Sequence, residues 1–397
     1  MFIIVFILLA LFVIYSMLIE YYRRAWLAIP QFSRDRNRED RSLKSWSSAG
    51  WREPATSISV IIPARNEENN IRACLDSLSL QSYPKKLYQV IVVDDQSTDN
   101  TWKLLQSNHY PDMHTMSLKL ADHLPAKGTV SAYKKFSIET GIGAATGELI
   151  ITTDADCRFH PDWLRTVAGF YESTGARFIA APVRIDAGPS FLAVFQTLDF
   201  ITLQGITGAA VYKKFHSMCN GANLAYPKKV FYEVGGYRDI DRIPSGDDML
   251  LMHKIYKKYP EQVLFLKDKR AIVTTQSETS WKGFFNQRIR WASKADKYDD
   301  KRIFAVLLLV YLLNGVFPIL LLASCWNRWW LLVFFVLLFL KTVIEYPFVH
   351  AVASFFDQQR LCVYFPLLQP FHIFYTVGIG WLGKFGSYRW KDRKIST

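Results

Sequence analysis

The chain has 397 residues, 50% of them hydrophobic, with five cysteines and a formal net charge of +13. That length holds one large domain plus further segments. The excess positive charge clusters beside apolar stretches, where anionic lipid headgroups account for it, so a nucleic-acid partner is set aside. The cysteines (Cys74, Cys157, Cys219, Cys325, Cys362) are scattered and lack metal-ligand spacing, which argues against a zinc site and fits a reducing compartment.

In chain order, residues 2–19 carry no charge and are long enough to cross a bilayer as a helix. No basic residue precedes this run and no small-residue cleavage pattern follows it, so it reads as an anchor rather than a signal peptide. Arg23, Arg24, Arg34, Arg36, Arg38 and Arg41 come next. Their placement predicts a cytoplasmic side there and a cytoplasmic soluble domain. From residue 57 short Val/Ile-rich runs alternate with helical patterns. Strands are predicted at 57–63, 89–95, 148–154 and 177–185, and helices at 67–81, 98–106, 134–146 and 163–173. Near-continuous apolar strands separated by helices predict a mostly parallel sheet covered on both faces, an α/β doubly wound fold. "GIGAATG" (141–147) imitates a dinucleotide loop, but it closes a helix and precedes a strand, the reverse of that fingerprint.

Further apolar segments follow at 303–327, 329–350 and 361–383. The third of these is broken by Pro366, Pro370, Gly378 and Gly380. The expected organisation is therefore an N-terminal transmembrane helix (1–22), a basic juxtamembrane linker (23–55), a catalytic domain (56–300), C-terminal membrane segments (301–384) and a basic tail (385–397). Four full spans would put both termini outside, whereas the basic tail belongs inside. Segment 361–383 is accordingly expected to be re-entrant or interfacial. Residues 190–212 are either a surface-lying amphipathic stretch or a buried core helix. Lys341 and Glu345 have i, i+4 spacing, suited to mutual pairing or to a headgroup contact.

Ligands of doubly wound sheets sit beyond the carboxyl ends of the strands. Asp94, Asp95, Asp154 and Asp156 all fall there. In an extended segment Asp154 and Asp156, at i and i+2, point the same way. Two close carboxylates repel unless something offsets them, and Mg²⁺ or Mn²⁺ does so while completing its shell with substrate phosphates. A solvated turn is the plainer alternative. Asp94 and Asp95 suit a base edge or ribose hydroxyl, and equally an ordinary turn. Asp247 and Asp248 precede a helical pattern, where they either cap it or supply a general base. Gln287, Arg290 and Trp291 in "QRIRW" share a helical face, fit for diphosphate and stacking or for an interface anchor.

These four elements, in this order, resemble the membrane-bound branch of family 2 glycosyltransferases of the GT-A fold, which includes cellulose, chitin and hyaluronan synthases and ceramide glucosyltransferase. The resemblance covers about residues 55–300 and the flanking apolar segments. It implies that Asp95, with Asp94 beside it, contacts the nucleotide, and that "VIIPARNEENNI" (60–71), with Glu67, is the nucleotide-binding first strand and helix. Asp154 and Asp156 look like the sugar-nucleotide and metal aspartates. Asp248 looks like the catalytic base, with Asp247 as its alternate because "GDD" departs from the commoner acidic pair containing glutamate. Gln287, Arg290 and Trp291 match the last motif. Lys134 stands where the family often has a lysine near the diphosphate, with Lys135 leaving the register open. "CNGANLAY" (219–226) resembles the acceptor-side strand and turn. The implied activity is inverting transfer of a sugar from a UDP- or GDP-sugar to a hydroxyl acceptor at the cell's inner or plasma membrane. One N-terminal span and at most three C-terminal segments are thin for a polymer channel, so a lipid acceptor is expected ahead of a growing glycan. A silent scaffold would lack one of the acidic motifs, and all are present; a transporter would show more polar residues along its spans.

Overall fold

The computed structural model describes residues 2–32, 55–107, 110–124, 132–215, 218–241, 243, 245–293, 301–385, 387–390 and 393–396. Most of the basic linker expected at 23–55, with Arg34, Arg36, Arg38 and Arg41, lies outside these, as do 294–300 at the end of the expected catalytic domain. The elements run α1 (Phe2–Ala28), β1 (Ile58–Ala64), α2 (Ile71–Ser79), β2 (Tyr88–Asp94), α3 (Thr101–Ser107), β3 (His114–Lys119), α4 (Tyr133–Ala144), β4 (Leu149–Thr152), β5 (Arg158–Phe159), α5 (Trp163–Thr174), β6 (Phe178–Ala180) and β7 (Val183–Asp186). They continue with α6 (Phe191–Tyr212), β8 (Leu224–Pro227), α7 (Lys228–Glu233), α8 (Met249–Lys258), β9 (Val263–Phe265), β10 (Val273–Gln276), α9 (Trp281–Ala292), α10 (Lys301–Ala323), α11 (Trp329–Phe355), α12 (Phe365–Phe385), β11 (Ser387–Trp390) and β12 (Arg393–Ser396). Two compact units result: residues 29–186 with 210–276, and residues 1–28 with 187–209 and 277–397.

The first unit is built on a seven-stranded sheet of order β3-β2-β1-β4-β8-β6-β9. Strands β3, β2, β1 and β4 are parallel, and β8 runs antiparallel to both β4 and β6. The apolar runs explain the parallel half: every residue of β2 and β4 is buried, as a sheet covered on both faces requires. The expected mostly parallel α/β sheet is thus present. Because β1, β2 and β4 are parallel, the residues that follow Ala64, Asp94 and Thr152 emerge at one edge.

Two expected elements differ. The strand predicted at 177–185 is two strands, β6 in the large sheet and β7 in a three-stranded sheet of order β5-β10-β7. Pro182 separates them; it has no N–H to continue a ladder, and its carbonyl accepts from Val273 N at 3.1 Å. The strand predicted to reach Asp154 stops at Thr152, and Cys157 N closes a turn onto Asp154 O at 3.2 Å. Asp154 and Asp156 therefore sit in a turn and not in an extended run. "GIGAATG" behaves as expected: α4 ends at Ala144 and β4 follows.

In the second unit α1 packs on α10 and α11, while α12 packs on α9, α10 and α11. Four helical stretches are long and apolar enough to cross a membrane: Val5–Ala28, Lys301–Ala323, Trp329–Phe355 and Gln359–Lys384. The last covers segment 361–383, expected to be broken at Pro366, Pro370, Gly378 and Gly380 and to be re-entrant or interfacial. Instead α12 is continuous, because Pro366 lies in its first turn, where no N–H is needed, and Pro370 is accommodated within it. Of residues 190–212, all but Ser190 form a single helix, α6, with Gly205 at a close approach to α11. A Cβ on Gly205 would come within 2.5 Å of Val352 Cγ2 and 2.8 Å of Phe348 Cζ. Lys341 and Glu345 do pair, at 2.5 Å, with Lys341 fully buried. Gln369 and the Tyr15 hydroxyl both donate to the Glu345 carboxylate, and the Gln369 carbonyl accepts from Lys341 at 3.2 Å. Buried charge is thereby matched by partners on α1, α11 and α12.

Candidate active site

The carboxyl edge of the parallel strands gathers most of the acidic residues singled out from the sequence. Asp94 ends β2 and Asp95 follows it; both are buried. Asp94 Oδ2 accepts weakly from Ser97 N at 3.4 Å, and its Oδ1 is buried without a hydrogen-bond partner. An orphan acceptor of this kind costs roughly 1–3 kcal/mol, which a donor such as a ligand hydroxyl or base N–H would recover. Asp95 N donates to Ala64 O at 2.8 Å, tying the β2 exit to β1. Arg65, which sequence reasoning did not single out, clamps the same turn by donating Nη1 to Asp95 O at 2.6 Å and to Gln96 O at 2.9 Å. Glu67 accepts from Asn70 Nδ2 at 2.9 Å, and its carbonyl accepts the N–H groups of Asn70 and Ile71 at the start of α2. The helix predicted from Glu67 accordingly begins at Ile71.

Lys134, in the first turn of α4, is the lysine of the Lys134/Lys135 pair that reaches the acidic cluster. Its Nζ lies 2.8 Å from Asp154 Oδ1 and 3.4 Å from Asp247 Oδ2. Burial alone would lower its pKa, but Asp154 and Asp247 together outweigh that and hold it well above the ordinary lysine value. Lys135, one residue on and fully buried, turns the other way. It donates to the carbonyls of Ile240 at 2.6 Å and Ile243 at 2.8 Å, fixing the loop that leads to Asp247.

Asp248 is the N-cap of α8. Its Oδ1 accepts from Met249 N at 2.7 Å and its Oδ2 from Gly221 N at 3.2 Å. Capping, the plainer reading of this aspartate, is therefore real. Each oxygen still has a second lone pair, so capping does not exhaust the carboxylate. Gly221 presses closely on the cluster: a Cβ there would stand 3.2 Å from Asp247 Oδ2 and 3.5 Å from Lys134 Nζ. The glycine lies in "CNGANLAY", yet the need for it was legible only from the structure.

Asp156 Oδ2 accepts from Thr275 Oγ1 at 2.8 Å, joining the turn to β10. Among the described residues no group of three or more His, Cys, Asp and Glu side chains is set to hold a metal ion. Asp154 and Asp156 alone would fill part of a divalent shell and leave the remainder to phosphate and water oxygens. Mg²⁺ and Mn²⁺ accept that arrangement, so the residues fit such an ion.

Gln287, Arg290 and Trp291 lie on α9, in the other unit. There the centre of the motif is Arg288, also missed from the sequence. Its guanidinium is 2% exposed, donates to Gln287 Oε1 at 3.1 Å, lies 4.1 Å over the Trp291 ring, and pairs with Asp199 at 2.9 Å. Gln287 Nε2 reaches Glu278 Oε1 at 3.4 Å. Although burial opposes it, Arg288 holds the Asp199 carboxyl below its usual range.

A mostly parallel sheet with an acidic cluster and Lys134 at its carboxyl edge is the arrangement of a GT-A glycosyltransferase fold. The family model for "Glycosyltransferase like family 2" matches residues 54–293, and the chain belongs to that family. It is 27% identical over 250 residues to "Probable glycosyltransferase YdaM" of Bacillus subtilis, covering 61% of this chain and 56% of that one. It is 32% identical over 203 residues to "Glycosyltransferase AglE" of Haloferax volcanii, covering 48% and 59%. The chain thus spans less than two thirds of the length of these relatives. The mannosyltransferase PcManGT of Pyrobaculum calidifontis, solved with GDP-Man and Mn²⁺, has a similar fold (TM-score 0.53, 18% identity, 92% of this chain and 98% of that one).

Proposed function

We propose that the protein is a membrane-bound inverting glycosyltransferase that moves a sugar from a UDP- or GDP-sugar to a hydroxyl of a lipid acceptor. The observation that carries this is the bracketing of Lys134 by Asp154 and Asp247, with Asp248 adjacent, at the carboxyl edge of the sheet. In this reading residues 56–300 form the catalytic domain, facing the cytoplasm, and 301–384 anchor it. The four long apolar helices support the membrane setting. The similar-fold mannosyltransferase solved with a nucleotide sugar and Mn²⁺ accords with a divalent ion.

Asp154 and Asp156 would hold Mg²⁺ or Mn²⁺, which supplies positive charge to the leaving diphosphate. The chain's own groups account for the rest. Lys134 offers a second cation on the same side of the cluster. Asp94 offers its unpaired Oδ1, and Asp95 and Glu67 the adjoining turns, to the nucleoside. Gln287, Arg290 and Trp291 carry the donor-binding role that the family pattern gives them. Asp248 takes the proton of the acceptor hydroxyl, with Asp247 held by Lys134 as the alternate base. The freed oxygen attacks the anomeric carbon as the bond to the diphosphate breaks, and the diphosphate leaves with its electron pair. One displacement inverts the centre, so an α-linked donor yields a β-linked product.

The test is Asp248→Asn in the full chain. Transfer is expected to vanish while donor binding survives. Normal turnover would remove Asp248 from the base role, and a product of retained configuration would refute the single displacement.

A further inference from the structure

Three residues of α6 stand behind the α9 motif. Gln196, Asp199 and Phe200 are spaced i, i+3 and i+4, so they share one face of that helix. Each leads to Gln287 or Trp291 by its own route. Gln196 holds the Glu278 backbone from both sides: its Nε2 donates to Glu278 O at 2.9 Å, and its Oε1 accepts from Glu278 N at 3.0 Å. The Glu278 carboxylate in turn accepts from Gln287 Nε2 at 3.4 Å. Asp199 Oδ2 faces Arg288 Nη2 at 2.9 Å, and Arg288 Nη1 donates to Gln287 Oε1 at 3.1 Å. The same guanidinium lies 4.1 Å over the Trp291 ring. Phe200 meets Trp291 directly, with ring centroids 6.1 Å apart.

The Gln287 amide is therefore held at both ends, and this fixes which way it points. Turned over, it would set its NH₂ against the Arg288 donor and its carbonyl against the Glu278 carboxylate. In the paired orientation it keeps a second N–H and a second carbonyl lone pair. Burial divides the roles. Gln287 and Trp291 are partly exposed, whereas the Asp199 and Arg288 side chains are 8% and 2% exposed and Gln196 is fully buried. The groups able to meet a ligand lie in front, and the groups that orient them lie behind. Stability alone is a poor reason for the charged pair, since apolar residues of similar volume often serve as well. An apolar pair could neither orient the Gln287 amide nor set a cation on the Trp291 ring.

We propose that Asp199 is a positioning residue for donor binding, acting through Arg288 to set the Gln287 amide and the Trp291 ring, with Gln196 and Phe200 supporting the same motif from α6. This rests on the donor role given above to Gln287 and Trp291, and it extends that role to a helix outside the motif.

The test is calorimetric titration of the full chain in detergent with UDP and with GDP, each in Mn²⁺, which reads affinity and the number of sites separately. In Asp199→Asn the Kd of the nucleotide that the parent binds is expected to rise about tenfold or more, the scale on which groups behind a binding site set its affinity, with the number of sites unchanged. A merely structural role would lower the number of sites and leave Kd where it was. That result, or an unchanged Kd at full site number, would overturn the proposal. If Asp199→Asn does not fold, Arg288→Lys decides. It keeps a positive charge towards Asp199 and loses the planar fork that spans Gln287 and Trp291, so Kd should rise, and an unchanged Kd would overturn the proposal. Trp291→Ala separates the two readings. If its Kd matches the parent's, or if the parent takes up neither nucleotide, the donor role of the motif fails and this inference fails with it. If Kd rises in Trp291→Ala and not in Asp199→Asn, the donor role stands and this inference alone fails.

Discussion

Replacing Lys134 by Met removes the cation that pairs with both Asp154 and Asp247. At 2.8 and 3.4 Å the gross attractions are about 6 and 5 kcal/mol at an effective dielectric constant of about 20. Most of that is cancelled by the cost of desolvating the ammonium. Lys134 is 19% exposed, Asp247 11% and Asp154 36%, which places the cluster between a surface pair, worth ~0.2–1 kcal/mol, and a buried pair, whose disruption costs ~3–5 kcal/mol. A loss of about 2 kcal/mol is expected, which lowers Tm by roughly 4–8 °C for a unit of this size. The assay is thermal unfolding of the full chain in detergent with EDTA, repeated with Mn²⁺. In Mn²⁺ the gap between Lys134→Met and the parent should narrow, because an ion at Asp154 and Asp156 replaces part of the missing charge. A metal-free Tm within about 1 °C of the parent would refute the reasoning, and so would a gap that widens in Mn²⁺.

Two further outcomes follow from local geometry. Gly221→Ala puts a methyl 3.2 Å from Asp247 Oδ2, tighter than ordinary contact, so transfer should fall while the fold survives; the kcat and unfolding temperature of that variant check this. Lys267 is 5% exposed and burial pushes its ammonium down to about 8. The unfolded chain, with a lysine value near ~10.4, then binds that proton more tightly, so stability should rise as pH climbs from about 8 towards 10. The rise, on the order of 2 kcal/mol, should be missing in Lys267→Met when unfolding is followed across that range.

Much of this arrangement was legible in the sequence because it depends on local pattern. The Val/Ile runs gave β1, β2 and β4, and the aspartates after them had to fall at one edge once those strands were parallel. Pro182 already marked the break between β6 and β7, but a continuous apolar run concealed it. Other features depend on partners distant in the chain. Whether Lys134 or Lys135 meets the carboxylates turns on a one-residue helical register in α4. Arg288 looked like a spacer within "QRIRW" because its partner, Asp199, lies on α6, 89 residues earlier. Gly221 is required by a side chain from the start of α8, which no local signal announces. The turn at Asp154–Cys157 also altered the geometry assumed for Asp154 and Asp156, since an extended run would have aimed both the same way.

The most direct measurement incubates membranes containing the protein with Mn²⁺ or Mg²⁺ and a panel of radiolabelled UDP- and GDP-sugars, then extracts with organic solvent. The account predicts label in the organic phase that requires the metal and disappears in Asp156→Ala. Label found only in insoluble or high-molecular-weight aqueous material would contradict the lipid acceptor and favour a polymer synthase. Organic-phase label unchanged in Asp156→Ala would contradict the site itself.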